Sequence, residues 1–439
     1  MFFPRGGSAH VARALARHLP AHGWDVTLVT GSHSGHGDAR AFYAGLDIHP
    51  VDFAAGDAPM HPSYEDRPGA EDRVFAAVDD DVYEQHVAAW ARALTAARAA
   101  DHDVLHLHHL TPIHEAAARV APGVPVVTHL HGTELLMLEA IADGAPWPHA
   151  QRWVARMRAW AHRSARVLVL AHGQIARAQR LLDIAPERCV VCPNGFDPER
   201  FDHVELDRGA HWRRHLVTEP RGWRPGGEEG SVGYSAHEVR PLADGPVVIS
   251  VSRFTAVKRL GLLVRAWAAA RSRLPEDASL VLLGGYPGEW EGEHPADVVA
   301  ATGARNVFLA GWHGHDELPG FLSASDALVL ASVREQFGAV LVEGMACGLP
   351  PIAVARYGPA DIVDDGSTGW LVPPDDQEAL ADALVACVAD PVERRRRGRR
   401  AWRVARERYS WPALASDLAE VLDEVVDVAD GRLAGRTTA

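Results

Sequence analysis

Two carboxylates eight residues apart, Glu335 and Glu343, stand in the stretch Glu335-Gln336-Phe337-Gly338-Ala339-Val340-Leu341-Val342-Glu343-Gly344-Met345-Ala346-Cys347-Gly348-Leu349-Pro350. Ionised carboxylates accept hydrogen bonds from vicinal hydroxyls, such as those of a sugar or a ribose. An apolar run, 327–330, precedes the stretch, so it reads as a loop opening a helix. Glu335 then sits in the loop and Glu343 about two helical turns further on. Glycine at 338 lets the first amides of that helix approach a ligand closely. A second group is Ser252-Arg253-Phe254-Thr255-Ala256-Val257-Lys258-Arg259, which puts the cations Arg253 and Lys258 beyond a buried strand at 247–251. Open α/β sheets bind ligands at that end of their strands. Taken alone, an exposed basic loop is the plainer account of it.

Three further places invite chemistry. Gly6 and Gly7, in Pro4-Arg5-Gly6-Gly7-Ser8-Ala9-His10, precede the first helix and permit close approach of backbone to phosphate, although ordinary turns look the same. His131 lies in His129-Leu130-His131-Gly132-Thr133-Glu134, just past a strand at 125–128. On the strand before it, His106 and His108 share a face and His109 points away. Without a cysteine or carboxylate complement these histidines read as polar lining and not as a metal cluster, so no metal site is expected. Cys189-Val190-Val191-Cys192 has redox spacing, but an offset of three puts the thiols on opposite faces of a strand, and no redox or zinc role follows. Asp79-Asp80-Asp81 imitates a metal-binding D-x-D, yet it follows no strand and suits the acidic start of a helix.

The elements that must hold these residues alternate. Apolar runs at 26–29, 103–107, 125–128, 167–170, 247–251 and 280–283 are strand-like, and helical patterns separate them, which favours layered α/β units on parallel sheets. Val11, Leu15 and Leu19 recur at four-residue spacing before Gly23, a helix stop. Between about 208 and 244 the pattern gives way to Gly, Pro, Glu, Arg and Trp without period, so a linker or insertion is expected there. The reading therefore divides the chain into 1–207, 208–244, 245–407 and a last helix, 408–439. In that helix Leu414, Leu418, Val421, Leu422 and Val425 share one face, which packs back on the first domain.

The stretch from Glu335 to Glu343 resembles the E-x7-E motif of the retaining family 4 glycosyltransferases. The resemblance continues through Pro350 to Asp365-Gly366-Ser367-Thr368-Gly369-Trp370-Leu371-Val372-Pro373-Pro374, and His131-Gly132 and Pro193-Asn194-Gly195 match other family segments. It covers nearly the whole chain outside 208–244. It implies the GT-B fold, two Rossmann-like doubly wound domains facing a cleft, with the donor mainly on the second domain and the acceptor entering from the first. By the same resemblance Arg253 and Lys258 neutralise the donor diphosphate, Glu343 holds the ribose and Glu335 the sugar hydroxyls. Phe337, Gly338, Ala339 and Val340 line the donor, Gly6 and Gly7 close over its phosphates, and His131 lies near the reacting sugar. The implied reaction moves a hexosyl-type sugar from a UDP- or GDP-sugar to an acceptor hydroxyl with retention, without cofactor or metal. A sugar-nucleotide epimerase, a phosphorylase and a non-catalytic nucleotide-sugar-binding protein are the alternatives. A nicotinamide site at 31–37 is disfavoured because its glycine spacing does not match G-x-G-x-x-G.

Composition sets the outer limits. A chain of 439 residues exceeds what one core supports, and a net charge of −14 argues against a general nucleic-acid binder. Four cysteines, no opening signal segment and no long apolar run place the protein in the cytoplasm. The arginine run 394–400 adds a second option, peripheral contact with an anionic membrane face, although such runs on helices are ordinarily solvated. The acceptor, a sugar, a lipid or a small molecule, is not named by any motif, and the turn-rich stretch 61–69 is a candidate loop for it. One departure stands out. Family members begin with an apolar strand that runs into the glycine loop, whereas only Met1-Phe2-Phe3 precedes it here. The first strand of the N-terminal domain is thus wanting, and the natural start is expected upstream.

Overall fold

The computed structural model describes residues 7–53, 56, 58–65 and 72–431. Gly6, the opening Met1-Phe2-Phe3 and the 66–69 part of the candidate acceptor loop lie outside the described residues. The chain forms two compact units, one of residues up to Asn194 together with those from Trp411 on, the other Gly195–Ser410.

In unit one, β1 (Thr27–Ser32) pairs in parallel with β2 (Asp47–Asp52). A second parallel sheet runs β3 (Leu105–His108), β4 (Val126–His129), β5 (Arg166–Val169), β6 (Cys189–Val191). Alternation along the strands sorts side chains between two layers. Val167 and Val169 join a core with Trp90, Trp153 and Trp160, while Leu168 turns to the other face. There it meets Val11, Leu15 and Leu19 from helix Gly7–His18 and its extension, and Leu414, Leu418, Leu422 and Val425 from helix Trp411–Ala429. The apolar face of the last helix thus packs on the first helix. Among the described residues no strand lies between β1 and β3. Leu28 and Val29 on one side, Leu105 and Leu107 on the other, border an apolar cavity of about 160 Å³.

The same sheet carries a ladder of histidines. His106, His108 and His129 stack with His131 just beyond β4, ring centroids 4.5–5.5 Å apart. Burial holds His106 at about 4 and pushes His108, His129 and His131 well below the ordinary imidazole range, where their mutual repulsion pushes further.

Unit two is one six-stranded parallel sheet. Its strands are β7 (Val247–Val251), β8 (Ser279–Leu283), β9 (Val307–Gly311), β10 (Ala327–Leu330), β11 (Pro351–Val354) and β12 (Trp370–Val372), in the order β12-β11-β10-β7-β8-β9. Strands β8 to β11 are buried along their whole length and read as unbroken apolar runs, as helices on both faces require.

The segment 208–244, expected as a linker or insertion, packs within unit two, and 195–207, which the sequence assigns to the first domain, goes with unit two as well. Trp212, Leu216 and Trp223 are buried, and the indoles donate to the carbonyls of Ala324 and Gly285. The Leu309 amide donates to the Tyr234 hydroxyl, so the segment lies along the free edge of β9. Its Gly, Pro and Trp composition hid this because it packs without a regular period. The arginine run is divided as well. Arg394 is buried against the carbonyls of Cys387 and Val388, Arg396 and Arg397 pair with Glu393, and Arg395, Arg399 and Arg400 remain exposed. No helix among the described residues is long and apolar enough to cross a membrane.

Two stability predictions follow from these layers. Gly284 has φ +120°, and a Cβ there would lie 2.1 Å from the Ser252 carbonyl oxygen. Gly284→Ala should lower the stability of unit two by about 1–3 kcal/mol or more, read from urea unfolding by tryptophan fluorescence. The histidine ladder makes unit one acid-sensitive. Because the folded-state values are depressed, the unfolded chain takes up more protons below its ordinary imidazole value near 6.5, and stability present above that pH is lost as pH falls toward about 4. The unfolding midpoint should drop between about pH 7.5 and about pH 5, and His106→Gln should flatten that slope; an unchanged slope would remove His106 from the effect.

Candidate functional site

The order of the sheet in unit two locates the site. Connections run outward from β7 to β8 and β9 on one side and to β10, β11 and β12 on the other, so the direction reverses between β7 and β10. At such a reversal the loops after the two strands part and leave a crevice beyond their carboxyl ends. Those loops are 252–259 and 331–338, the two stretches singled out in the sequence.

The loops are tied to each other. The Val257 carbonyl accepts from the Val333 amide at 3.0 Å and from the Ser332 hydroxyl at 3.3 Å. This fixes Lys258, whose Nζ lies 2.5 Å from Glu335 Oε2. Both side chains of that ion pair are about one-fifth exposed, 19% and 20%. Arg253 is exposed and has no carboxylate partner among the described residues, so its charge is available to an anion.

Gly338 has φ +98° and caps helix Ala339–Ala346. Ala339 is exposed and Val340 half-buried, and the amides of this first turn are the ones that lack partners inside the helix. Glu343 sits one turn from the other end, buried, its Oε1 2.8 Å from His315 Nε2. Phe337 is brought to the same loop, but its ring is buried 6.0 Å from that of Tyr409, so only its backbone can meet a ligand. Gly358 explains the loop's position. A Cβ there would fall 2.3 Å from Phe337 Cα, and the Gly358 amide donates to the Glu335 carbonyl at 3.2 Å.

Unit one holds the remaining expected residues. Gly7 starts helix Gly7–His18. His131 follows β4, and its amide donates to both carboxylate oxygens of Glu134, at 3.1 and 3.3 Å. Its Nε2 lies 2.9 Å from His108 Nδ1, which leaves Nδ1 for another partner. Glu134 is fully buried and also accepts from His109 Nδ1 at 2.5 Å. His109 Nε2 in turn lies 2.9 Å from Ser8 Oγ. A hydroxyl, an imidazole and a carboxylate are thereby linked, and they hold the start of the first helix to the end of β3. The His109 backbone is left-handed, φ +64°. That turn moves His109 off the strand, so its ring meets His131 at 4.5 Å despite the opposite face expected of it.

Sequence reasoning missed Ser8, His109, Glu134, His315 and Gly358. Glu134 stands three residues past His131 at a helix start, a spacing that marks backbone-capping carboxylates, and could have been found. His315 carries no such mark, since its partner is 28 residues away and only the fold brings the two together. The supposed metal-like triplet Asp79-Asp80-Asp81 starts helix Asp80–Ala96. Asp79 Oδ1 accepts from the Val82 amide, and Asp80 pairs with Arg156 and Arg152. The two cysteines of the redox-like pair face opposite cores, and burial pushes the Cys192 thiol up to about 12.

Comparison with known proteins identifies the family. Residues 236–403 match the model of glycosyl transferases group 1, and residues 5–200 match that of glycosyltransferase family 4. D-inositol 3-phosphate glycosyltransferases of Salinispora tropica and Salinispora arenicola are each 30% identical over 344 residues, 75% of this chain and 66% and 71% of theirs. N-acetyl-alpha-D-glucosaminyl L-malate synthase of Bacillus anthracis is 22% identical over 432 residues, 96% of this chain and 94% of its own. The crystal structure of Anabaena HepE with UDP and glucose superimposes with a TM-score of 0.66 at 18% identity, over 95% of this chain and 96% of that one. The fold is of the GT-B type, and the chain belongs to the family 4 glycosyltransferases.

Proposed function

We propose that this protein transfers a hexosyl-type sugar from a UDP- or GDP-linked donor to an acceptor hydroxyl, with retention of configuration and with no metal ion at the reacting centre. The observation that carries the reading is the meeting of Arg253, Lys258, Glu335 and the amides of Gly338 and Ala339 at the strand-order reversal of unit two. A diphosphate needs positive charge and N–H donors where its bond to the sugar breaks, and this place offers both. Glu343 takes the ribose hydroxyls with His315 turning its carboxylate, and Glu335 takes sugar hydroxyls. The departing diphosphate oxygen accepts the acceptor's proton, so front-face substitution asks no nucleophile of the protein.

UDP and glucose in the Anabaena relative favour a uridine nucleotide. The names of the inositol phosphate and malate relatives contain small hydroxylated anions, which favours a small-molecule acceptor over a lipid.

Calorimetric titration of the full chain with UDP, GDP and ADP, without added divalent metal, should show saturable binding to one of them. Glu343→Ala should weaken that binding about tenfold or more, since a carboxylate's hydrogen bonds are worth about 1.5–3 kcal/mol. Arg253→Ala and Lys258→Ala should each lower turnover by about 10²–10³, Arg253→Ala with little change in unfolding midpoint and Lys258→Ala with a drop in it, because Glu335 is left without its partner. A folded protein that binds none of the three nucleotides, or binds equally well without Glu343, would refute the donor site.

A further inference from the structure

Residues 201–235 fall between the two family matches, yet they bring a distinct constellation to unit two. His211, on helix Arg208–Arg213, and His215, on the single-turn π-helix Arg214–Thr218 that continues it, stand four residues apart. Turns of this π type are rare and concentrate at functional sites. Facing them, in the loop after β9, His313 and Glu317 are also four residues apart. One ligand atom each from His215, His313 and Glu317 lie within 4.8 Å of one another. The His211 ring is 4.6 Å from that of His215, and its Nε2 is buried without a hydrogen-bond partner.

The surrounding bonds constrain two of these groups. His313 Nε2 is 3.3 Å from the Ala310 carbonyl, which places the proton there and leaves Nδ1 as a lone-pair atom. That Nδ1 lies 3.3 Å from Glu317 Oε1, itself an acceptor. A cation between these two acceptors would take a lone pair from each. The other oxygen of Glu317 is already taken by the Gly314 amide at 3.2 Å and by Arg221 at 3.3 Å. Phe321 lies 4.4–4.8 Å from all three imidazole rings and closes the apolar floor.

We propose that His215, His313 and Glu317 bind one zinc ion in a closed structural site, with His211, whose ring lies beside that of His215 and whose Nε2 has no hydrogen-bond partner, turning in as the fourth ligand. Three imidazole nitrogens and one carboxylate oxygen make up the four-ligand complement zinc takes in such sites. The histidine ladder of unit one is the weaker candidate. Its ligand atoms are as close together, but it brings three imidazoles and no carboxylate, so it lacks the negative charge that Glu317 supplies here. The ion fastens the 208–218 segment to the loop 313–317. His315, the partner of Glu343, lies in that loop between two of the ligands, so the same ion steadies the residue that orients Glu343.

The test uses the full chain stripped with a chelator and then titrated with zinc against a chromophoric competitor, and with cobalt, whose visible absorption reports tetrahedral nitrogen and oxygen ligation. One equivalent of zinc is expected, and it should raise the unfolding midpoint. His215→Gln and His313→Gln should weaken binding by at least about 100-fold, the upper end of what losing even an outer partner of a metal site costs, and should abolish the rise in midpoint. Glutamine retains a polar side chain but is a poor zinc ligand, and circular dichroism of each variant verifies folding. Binding should be unchanged in His129→Asn, in the ladder, and in the exposed His237→Ala. No stoichiometric binding by folded protein, binding that survives both glutamine variants, or binding lost in His129→Asn would each overturn the proposal.

Discussion

The reversal of strand order between β7 and β10 is the constraint on which the candidate donor site of unit two depends. Neighbouring parallel strands whose chains continue in opposite directions send their following loops apart, and the space so opened can hold a ligand only if the loops are kept in register. Here a single carbonyl, that of Val257, accepts from both Val333 and Ser332 and supplies that register. Lys258 is the next residue, so its ammonium is delivered to Glu335 without any long side-chain search. Gly358 fixes the other side, since no residue with a Cβ could lie where it does against the backbone of Phe337. Backbone contacts rather than side-chain packing thus set the positions of the charged groups, which is the preorganisation electrostatic stabilisation requires.

Much of this was legible in the sequence because the candidate donor loops follow strands that are buried on both faces. Such strands must be apolar throughout, so the loop after each is easy to find, and the residue types in it stand out. Glu335, Gly338, Glu343, Arg253 and Lys258 were therefore nameable before any coordinates. The layering of unit one was legible for the related reason that Val11, Leu15 and Leu19 and the last helix each keep a helical period.

What escaped the sequence has physical causes that differ from place to place. The 208–244 segment packs along the edge of β9 through tryptophans and a tyrosine at irregular intervals, and irregular packing leaves no period to read. Its composition is that of a linker although its side chains are those of a core. His109 was assigned to the wrong side because a left-handed residue ends the strand's alternation just where the assignment was made. His315 and Glu343 meet only through the neighbouring ends of elements far apart in the chain. Local pattern carries no information about such a pair.

If the proposed donor roles hold, the Lys258–Glu335 pair solves a problem that the site's own chemistry would create. A cation placed for a diphosphate is costly to leave partly buried and unpaired, and a carboxylate placed for hydroxyls is equally so. Pairing them satisfies both in the unliganded protein, while one-fifth exposure keeps the desolvation modest and the pair breakable. Under the proposed function, an arriving diphosphate would offer Lys258 a more highly charged partner than Glu335, and sugar hydroxyls would offer Glu335 donors in its place. Exchange of partners then leaves no charge stranded at any stage. Arg253, exposed and without a carboxylate partner among the described residues, adds positive charge that no internal pair cancels, so the loop attracts an anion before the ion pair has to open. An attraction that precedes the exchange and an exchange that strands no charge together account for why one cation of the two is paired and the other is not.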